Sequence, residues 1–372
     1  MIGPRGENLI FAISQPRAGS TLLQRMLAGH PSIFATAEPW IMLHPLYALR
    51  EQGHTADYNA EWARAALKDF CDNLEGGEQA YVEALRAMGV SLYNQALQRS
   101  GRACFLDKTP RYYQICPELR RTFPEAKFIL LLRNPLAVLS SMLTSWIQED
   151  WERLELYQED LLTAPPRLEA ALRGFGSDAI LVRYEEMVQQ PEQVMGDLCG
   201  RLGLPFDPGM IEYGGRPKPK GNMGDDVGIH RFSRPVTESK DKWLVELAAP
   251  RRRLLAESYL AALDHGVLSR LGYPKQELLS ALRAIPVSPS PDPLPAEAHE
   301  HAAKLFRLPP ATVAAAARCV QQKDNPAAVA LFMNGAPASR APLVSVIVSV
   351  HAAERYLRAC LEDLVASCIA GL

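Results

Sequence analysis

The segment Ser14-Gln-Pro-Arg-Ala-Gly-Ser-Thr21 contains residue types that bind an anion. It follows the apolar run 9–13 and precedes apolar residues at helical spacing, so it should connect a strand to a helix. Main-chain N–H groups at a helix start attract anions, and Ser20, Thr21 and Arg17 add hydroxyl and guanidinium donors. Because no lysine follows Gly19, the pattern is not a Walker A loop, which argues against a magnesium–nucleoside triphosphate site. The alternative is an ordinary strand-to-helix turn capped by a serine.

A second strand-to-helix junction carries a second candidate anion site. The continuous apolar run 127–132 predicts a strand buried on both faces of a parallel sheet, and Arg133-Asn-Pro follows it. Open α/β sheets bind ligands at the carboxyl ends of their strands, where Arg133 would lie. Ser141 follows eight residues later in the next helix, and an arginine with a hydroxyl suits a phosphomonoester. A surface arginine at a strand end is the alternative.

In this order, the two segments resemble the cofactor-binding signatures of sulfotransferases that use 3′-phosphoadenosine-5′-phosphosulfate (PAPS). Residues 16–22 look like the "PRSGTTL" loop for the 5′-phosphosulfate in the tyrosylprotein and bacterial branch, with Ala18 and Ser20 as mild departures. Arg133 and Ser141 match, at the family's spacing, the pair that binds the 3′-phosphate. Some protein-sulfating relatives have a further arginine where this chain has Ser145. The resemblance implies that the first loop binds the nucleotide through Arg17, Ala18, Gly19, Ser20, Thr21 and Leu22.

The resemblance also implies a catalytic base. Transfer of a sulfuryl group needs a base for the acceptor hydroxyl. Glu38 lies 21 residues after Arg17, at the position of the catalytic glutamate of the tyrosylprotein-like branch. The alternative is an exposed loop acid or a partner of a structural arginine. His30 and His44 are further candidates, since cytosolic small-molecule sulfotransferases use a histidine, but His30 precedes a proline at a helix end and is interpreted as structural.

Transfer also needs cations near the leaving phosphate. Lys108, in Asp-Lys-Thr-Pro, matches the family's "K-x-P" segment and would share this role with Arg17. An ion pair of Lys108 with Asp107 or Glu125 is the alternative. The resemblance further implies nucleotide contacts from an "RYE" segment and from a loop over the adenosine, with the candidates Tyr184, Ser233, Arg234 and Ser239. A core tyrosine is the alternative for Tyr184.

The elements that position these residues alternate between strands and helices. Strands are predicted at 9–13, 127–132 and 179–184, with helices at 57–100, 191–202 and 243–263. This alternation predicts an α/β fold, and the resemblance implies a P-loop-like three-layer α/β/α arrangement with a central parallel sheet. We expect a sulfotransferase domain at 7–275, a Pro-rich linker at 276–300 and an Ala-rich helical segment at 301–341. Residues 342–372 resemble the opening strand and helix of GT-A-type glycosyltransferases, as a truncated start of such a domain.

Composition excludes several classes of protein. The chain has 372 residues and a net charge of −2, so a bulk nucleic-acid coat or a polybasic membrane binder is not expected. Its seven cysteines form no C-x-x-C pair, which argues against a zinc site and a disulfide framework. No apolar stretch is long enough to span a membrane. We therefore predict a cytoplasmic protein, and no metal cofactor is expected.

The predicted activity is transfer of a sulfuryl group from PAPS to a hydroxyl acceptor, with Glu38 as base. The glycosyltransferase-like tail favours a carbohydrate or glycan acceptor by association only. Peptide tyrosine is an alternative acceptor. The other functions considered are a P-loop kinase or NTPase-type phosphotransferase and a non-catalytic module derived from a sulfotransferase.

Overall fold

The computed structural model describes residues 1–50, 57–148, 150–216, 232–288 and 294–321. The chain divides into two compact units, Met1–Val320 and Gln321–Leu372. The predicted glycosyltransferase-like start at 342–372 therefore lies outside the described residues.

A five-stranded parallel sheet forms the centre of the first unit. Its strands are β1 (Leu9–Ser14), β2 (Ile33–Ala35), β3 (Cys104–Lys108), β4 (Lys127–Leu132) and β5 (Ala179–Arg183). The order across the sheet is β2-β3-β1-β4-β5. The register pairs Ala12 with Lys108, Ser14 with Leu131 and Leu132 with Arg183. All five carboxyl ends consequently meet at one edge.

Helices cover both faces of this sheet, as its sequence pattern requires. Alternate residues of β1 enter opposite cores: Ile10 and Ala12 pack on one side, and Leu9, Phe11 and Ile13 pack on the other. The helices are α1 (Ser20–Gly29), α2 (Leu43–Tyr47), α3 (Ala60–Cys71), α4 (Gly77–Gln98), α5 (Cys116–Thr122), α6 (Pro135–Met142), α7 (Gln158–Leu162), α8 (Ala164–Phe175), α9 (Tyr184–Gln189), α10 (Pro191–Leu202), α11 (Glu238–Glu246), α12 (Pro250–Ala262), α13 (His265–Arg270), α14 (Lys275–Ala284), α15 (Ala296–Phe306) and α16 (Pro310–Gln321). The predicted α/β class with a central parallel sheet is confirmed.

Two predicted boundaries differ from the structure. The helix predicted at 243–263 is two helices, because Pro250 begins α12 and cannot continue α11. The linker predicted at 276–300 is wrong at both ends: α14 (Lys275–Ala284) occupies all of 276–284, and α15 starts at Ala296. Leu278 and Leu282 pack into the main core, so an apolar helical stripe outweighs the nearby prolines.

The carboxyl-terminal helices belong to the same core as the sheet. Ala302, Leu305 and Phe306 of α15 are buried in the cluster that contains β1 residues Ile10 and Ala12. Residue 275 is therefore no boundary of the packed unit. The part of the predicted Ala-rich segment that is described, 301–321, is helical in α15 and α16.

Candidate functional site

A cavity of about 390 Å³ lies at the carboxyl edge of the sheet. Each strand contributes a predicted site residue there. The loop 15–19 follows β1, Glu38 follows β2, Lys108 ends β3, Arg133 follows β4 and Tyr184 follows β5. Parallel strands bring these residues together from distant parts of the sequence, as expected for ligand sites in open α/β sheets.

The first loop has a tightly specified backbone. Arg17 and Gly19 have positive φ angles of 68° and 97°. The N-cap residue Gly19 has no side chain to cap the start of α1, and Ser20 and Thr21 of the first helical turn line the cavity. A Cβ at residue 19 would lie 2.4 Å from Cδ2 of Tyr184, so the tyrosine ring packs directly on this glycine. The loop therefore has the features of an anion-binding cradle.

The Arg17 side chain reaches from the first loop to the second predicted site. Its Nε donates to Oγ of Ser141 at 3.1 Å, and its Nη2 donates to Oγ of Ser145 at 2.9 Å. Its guanidinium lies over the Trp146 ring, 5.2 Å from the ring centre. A short π-helix at Leu143–Ile147 continues α6 and carries Ser145 and Trp146, and such turns frequently occur at functional sites.

Arg133 connects three walls of the same cavity. Its Nη1 donates to the main-chain oxygen of Arg17 at 2.9 Å, and its Nη2 donates to that of Ser239 at 2.7 Å. The guanidinium stacks on Tyr184 at 4.2 Å, and burial lowers its pKa. Its buried Nε has no hydrogen-bond partner among the described residues. The two predicted anion sites therefore face one cavity.

Glu38 and Lys108 form a buried ion pair. Oε1 of Glu38 lies 2.7 Å from Nζ of Lys108, which is fully buried, and Oε2 accepts a hydrogen bond from Nε1 of Trp40 at 3.1 Å. The alternative partners of Lys108, Asp107 and Glu125, are wrong. Glu38 lines the cavity, whereas Lys108 is not part of its surface and contacts the cavity residue Glu38 instead.

Asp107 lies next to this ion pair in a buried polar network. It accepts hydrogen bonds from Tyr93, Thr109 and Tyr112 at 2.6, 2.8 and 3.2 Å. Burial raises the pKa of Asp107 to about 6, although these three hydrogen bonds lower it. Tyr112 also accepts the main-chain N–H of Met42, so the network joins β3 to the segment after Glu38.

His30 has the structural role predicted for it. The ring is buried, its Nδ1 accepts the main-chain N–H of Ser32 at 3.0 Å, and its Nε2 lies 2.9 Å from the main-chain oxygen of Pro205. Neither His30 nor His44 lines the cavity formed by the described residues.

Most predicted nucleotide-binding residues line the cavity, but three side chains do not. Arg17, Gly19, Ser20, Thr21, Leu22, Arg133, Ser141, Tyr184 and Ser239 line it. Ala18 is fully buried in the core, because the turn directs its small side chain inward. Ser233 packs against Gly214, and Arg234 forms a 3.5 Å ion pair with Glu212 outside the cavity.

The cavity contains cations that the sequence analysis did not single out. Arg25 is only 5% exposed, its Nη2 donates to the main-chain oxygen of Tyr213 at 2.7 Å, and it lies 5.2 Å from the centre of the Tyr213 ring. Its Nη1 has no partner among the described residues, and burial lowers its pKa. The signal was present, since Arg25 is one helical turn after Thr21 on α1. Arg111 also lines the cavity, three residues after Lys108.

A profile described as the Sulfotransferase family matches residues 9–208, more than half of the chain. The chain belongs to the sulfotransferase family. This confirms the family predicted from the two anion-site motifs. The match includes β1 to β5 and the predicted residues from Arg17 to Tyr184.

Curated relatives agree with this assignment. Nodulation protein NoeE of Sinorhizobium fredii is 30% identical over 287 residues, which cover 71% of this chain and 66% of NoeE. This sulfotransferase-family chain thus spans just under two thirds of NoeE. Protein-tyrosine sulfotransferase 2 of Gallus gallus is 25% identical over 274 residues, 71% of this chain and 69% of that protein.

Among solved structures, the sulfotransferase domain of the Synechococcus PCC 7002 olefin synthase is 26% identical, with a TM-score of 0.44. The match covers 63% of this chain and 86% of that domain.

The described residues of this family member fit PAPS, an anionic nucleotide. The fit rests on the Gly19 cradle, which has no room for a Cβ, and on two buried guanidinium nitrogens that lack partners among the described residues, Nε of Arg133 and Nη1 of Arg25. A buried cation without an anion is costly, so these groups suit a ligand that carries phosphate and hydrogen-bond acceptors.

Two absences hold for the described part of the chain. It contains no helix that is both long and apolar enough to cross a membrane. It also contains no group of three His, Cys, Asp or Glu side chains that could hold a metal ion. The cytoplasmic location and the absence of a metal cofactor stay predictions.

Proposed function

We propose that this chain transfers the sulfuryl group of PAPS to a hydroxyl acceptor, with Glu38 as the base. The observation that carries the proposal is the convergence of Arg17, Arg133 and Glu38 on one cavity. In this arrangement a single bound molecule would meet both anion sites and a carboxylate. The rival phosphotransferase function lacks the lysine that a Walker A loop would supply after Gly19.

We expect two groups of residues to bind the two phosphate-bearing ends of the nucleotide. The start of α1 with Ser20 and Thr21 would bind the 5′-phosphosulfate. Arg133 and Ser141 would bind the 3′-phosphate, and Arg25 would supply a further donor from α1. Ser141 and Ser145 both accept hydrogen bonds from Arg17, so the position that is arginine in some relatives here serves to orient Arg17.

The reaction would then use the groups at the ends of β1, β2 and β3. PAPS supplies an activated sulfuryl group with a phosphate as leaving group. Glu38 accepts the hydroxyl proton as the acceptor oxygen bonds to sulfur and the bond between sulfur and the phosphate oxygen breaks. Arg17, which lines the cavity, would stabilise the negative charge that develops on that oxygen, and Lys108, bonded to Glu38 beneath the cavity surface, would add its positive charge from there. Lys108 has three N–H donors and uses one on Glu38.

For the acceptor, we propose a carbohydrate hydroxyl. The support is the resemblance of residues 342–372 to the start of GT-A-type glycosyltransferases, which is an association and not a mechanism. Peptide tyrosine is the second candidate, because a protein-tyrosine sulfotransferase is 25% identical to this chain.

The test is a radiolabelled-PAPS assay against saccharides, tyrosine peptides and small alcohols, with products read by mass spectrometry. Glu38→Ala should abolish transfer while the affinity for adenosine 3′,5′-bisphosphate (PAP), the desulfated nucleotide, stays nearly unchanged. Glu83→Ala, on an exposed position of α4, is the matched control and should be fully active. Loss of PAP binding together with activity would assign Glu38 a structural role, and binding of ATP but not PAPS would favour the phosphotransferase.

A further inference from the structure

Trp40 adopts a backbone conformation that large side chains rarely have. Its φ is 57°, in the left-handed region that normally favours glycine. This turn brings its indole back to the residue two positions earlier, and Nε1 donates to Oε2 of Glu38 at 3.1 Å. Strained residues persist where the surrounding structure fixes them, and they concentrate at functional sites. The positive φ of Trp40 therefore goes together with a second hydrogen bond to the Glu38 carboxylate, in addition to the one from Lys108.

Arg111 and Asp160 hold the indole in place. The Arg111 guanidinium lies over the Trp40 ring, 5.5 Å from its centre. The Arg111 guanidinium in turn forms a bidentate pair with the Asp160 carboxylate: Nε of Arg111 donates to Oδ1 of Asp160 at 3.0 Å, and Nη2 donates to Oδ2 at 2.6 Å. Because the carboxylate neutralises the charge of Arg111 and fixes its plane, Arg111 forms a rigid cover for the indole.

Asp160 also connects Trp40 and Arg111 to the loop after β1, which we propose binds the sulfate donor. It is 3% exposed, its Oδ1 accepts the hydroxyl of Tyr113 at 2.9 Å, and its main-chain oxygen accepts Nε2 of Gln15 at 2.8 Å. Gln15 lies in the loop after β1, two residues before Arg17. One buried residue thus anchors both the loop proposed to bind the sulfate donor and the group that covers Trp40.

We propose that Trp40 is a positioning residue for Glu38, held by Arg111 and Asp160. With Oε1 on Lys108 and Oε2 on Trp40, the carboxylate has one orientation, and a fixed base transfers protons more effectively than a rotating one. The inference rests on the proposed role of Glu38 as base. Within the described ranges, the charged groups shown to interact with Glu38 are Lys108 and Asp107 of β3 and Arg111, and none of them replaces the indole N–H at Oε2.

The decisive variant is Trp40→Phe, which removes the N–H and keeps a ring under Arg111. We expect kcat to fall about 10- to 100-fold, while KM for PAPS, the affinity for PAP and the melting temperature change little. Trp62→Phe is the matched control, because Trp62 is 77% exposed on α3. An unchanged kcat in Trp40→Phe would overturn the inference, and so would a parallel loss of PAP binding and melting temperature, which indicates a general structural role.

Two further measurements test whether Trp40 acts through its neighbours. Arg111→Lys keeps a cation for Asp160 but loses the flat bidentate cover, so kcat should fall by less than in Trp40→Phe, and the two changes should not be additive. Fully additive losses would contradict the coupling. If Glu38→Gln is as active as the wild type, the proposed base is wrong. If Glu38→Gln is inactive while Trp40→Phe is normal, only the positioning role is wrong.

Discussion

Replacement of Gly19 by alanine should lower the stability of the protein by more than the positive φ of residue 19 alone explains. Residue 19 has a φ of 97°, and an added Cβ would lie 2.4 Å and 2.6 Å from two carbons of the Tyr184 ring. The left-handed conformation costs an L-residue about 1–2 kcal/mol. Overpacking of a filled site adds about 1–3 kcal/mol. We expect Gly19→Ala to lower the free energy of unfolding by roughly 2–5 kcal/mol.

The chain supplies two glycines that separate these contributions. Gly203, after α10, has a φ of 72° with open space around an added Cβ, so Gly203→Ala should cost only the backbone part, about 1–2 kcal/mol. Gly196 lies inside α10 with open space and no positive φ, so Gly196→Ala should stabilise the protein by about 0.5–1 kcal/mol. Urea unfolding of the three variants gives the free energies.

Ligand binding provides the second readout for the same series. To make room for a Cβ, the Tyr184 ring must move, and Arg133 stacks on that ring at 4.2 Å. We therefore expect Gly19→Ala to weaken PAP binding at least tenfold by calorimetry, whereas Gly203→Ala and Gly196→Ala keep wild-type affinity. Equal stability losses in Gly19→Ala and Gly203→Ala, with unchanged PAP affinity, would refute the close packing of loop and ring.

Three further changes test the charges around the cavity. Arg133→Met should weaken PAP binding about 10- to 100-fold, because a hydrogen bond to a charged group contributes about 1.5–3 kcal/mol, and exposed Arg153→Met should not change it. Arg25→Met should weaken PAP binding by calorimetry while the ligand-free protein melts at an equal or higher temperature, since it removes a buried charge that lacks an acidic partner among the described residues. For Asp107, whose pKa is raised from 3.8 to about 6, the folded state holds a proton that the unfolded state releases first. The stabilisation from this proton is fully present below about pH 4 and is lost as pH rises through about 6. The free energy of unfolding of the wild type, measured in urea, should therefore fall by about 3 kcal/mol over this range, and Asp107→Asn should not show this decline.

Each of these expectations has a contrary result. An unchanged PAP affinity in Arg133→Met would remove Arg133 from the nucleotide site. A large drop in melting temperature for Arg25→Met would mean that the guanidinium stabilises the fold through Tyr213. If the wild type and Asp107→Asn lose stability in parallel between pH 4 and pH 7, Asp107 is ionised throughout that range.

Residues that are close in sequence to a strand end were predictable. Arg17 and Arg133 follow β1 and β4 directly, and the apolar runs before them identify those strands. Parallel strands then place both residues at one edge of a sheet, as the structure shows. For this reason, a shared cavity could be expected from two short motifs that are more than a hundred residues apart.

Contacts that depend on non-local packing were not predictable. Arg111 and Asp160 are 49 residues apart, and no periodicity or motif relates them. The π-helix after α6 adds a residue to a turn, and this local change directs Ser145 and Trp146 to Arg17. Trp40 was missed because sequence statistics do not anticipate a positive φ at a bulky residue.

The strand order divides the proposed site into two halves. β1 is central, and its loop places Arg17 between the two sides. β4 and β5 carry Arg133 and Tyr184 on one side, where the proposed nucleotide contacts lie. β3 and β2 carry Lys108 and Glu38 on the other, where the acceptor would enter. Because the proposed donor contacts occupy one side, we expect that acceptor preference can change on the other without loss of nucleotide binding. The segments after β2 and β3, apart from the proposed base Glu38 and its supports Trp40 and Arg111, are therefore where we expect relatives with the same donor to differ in acceptor.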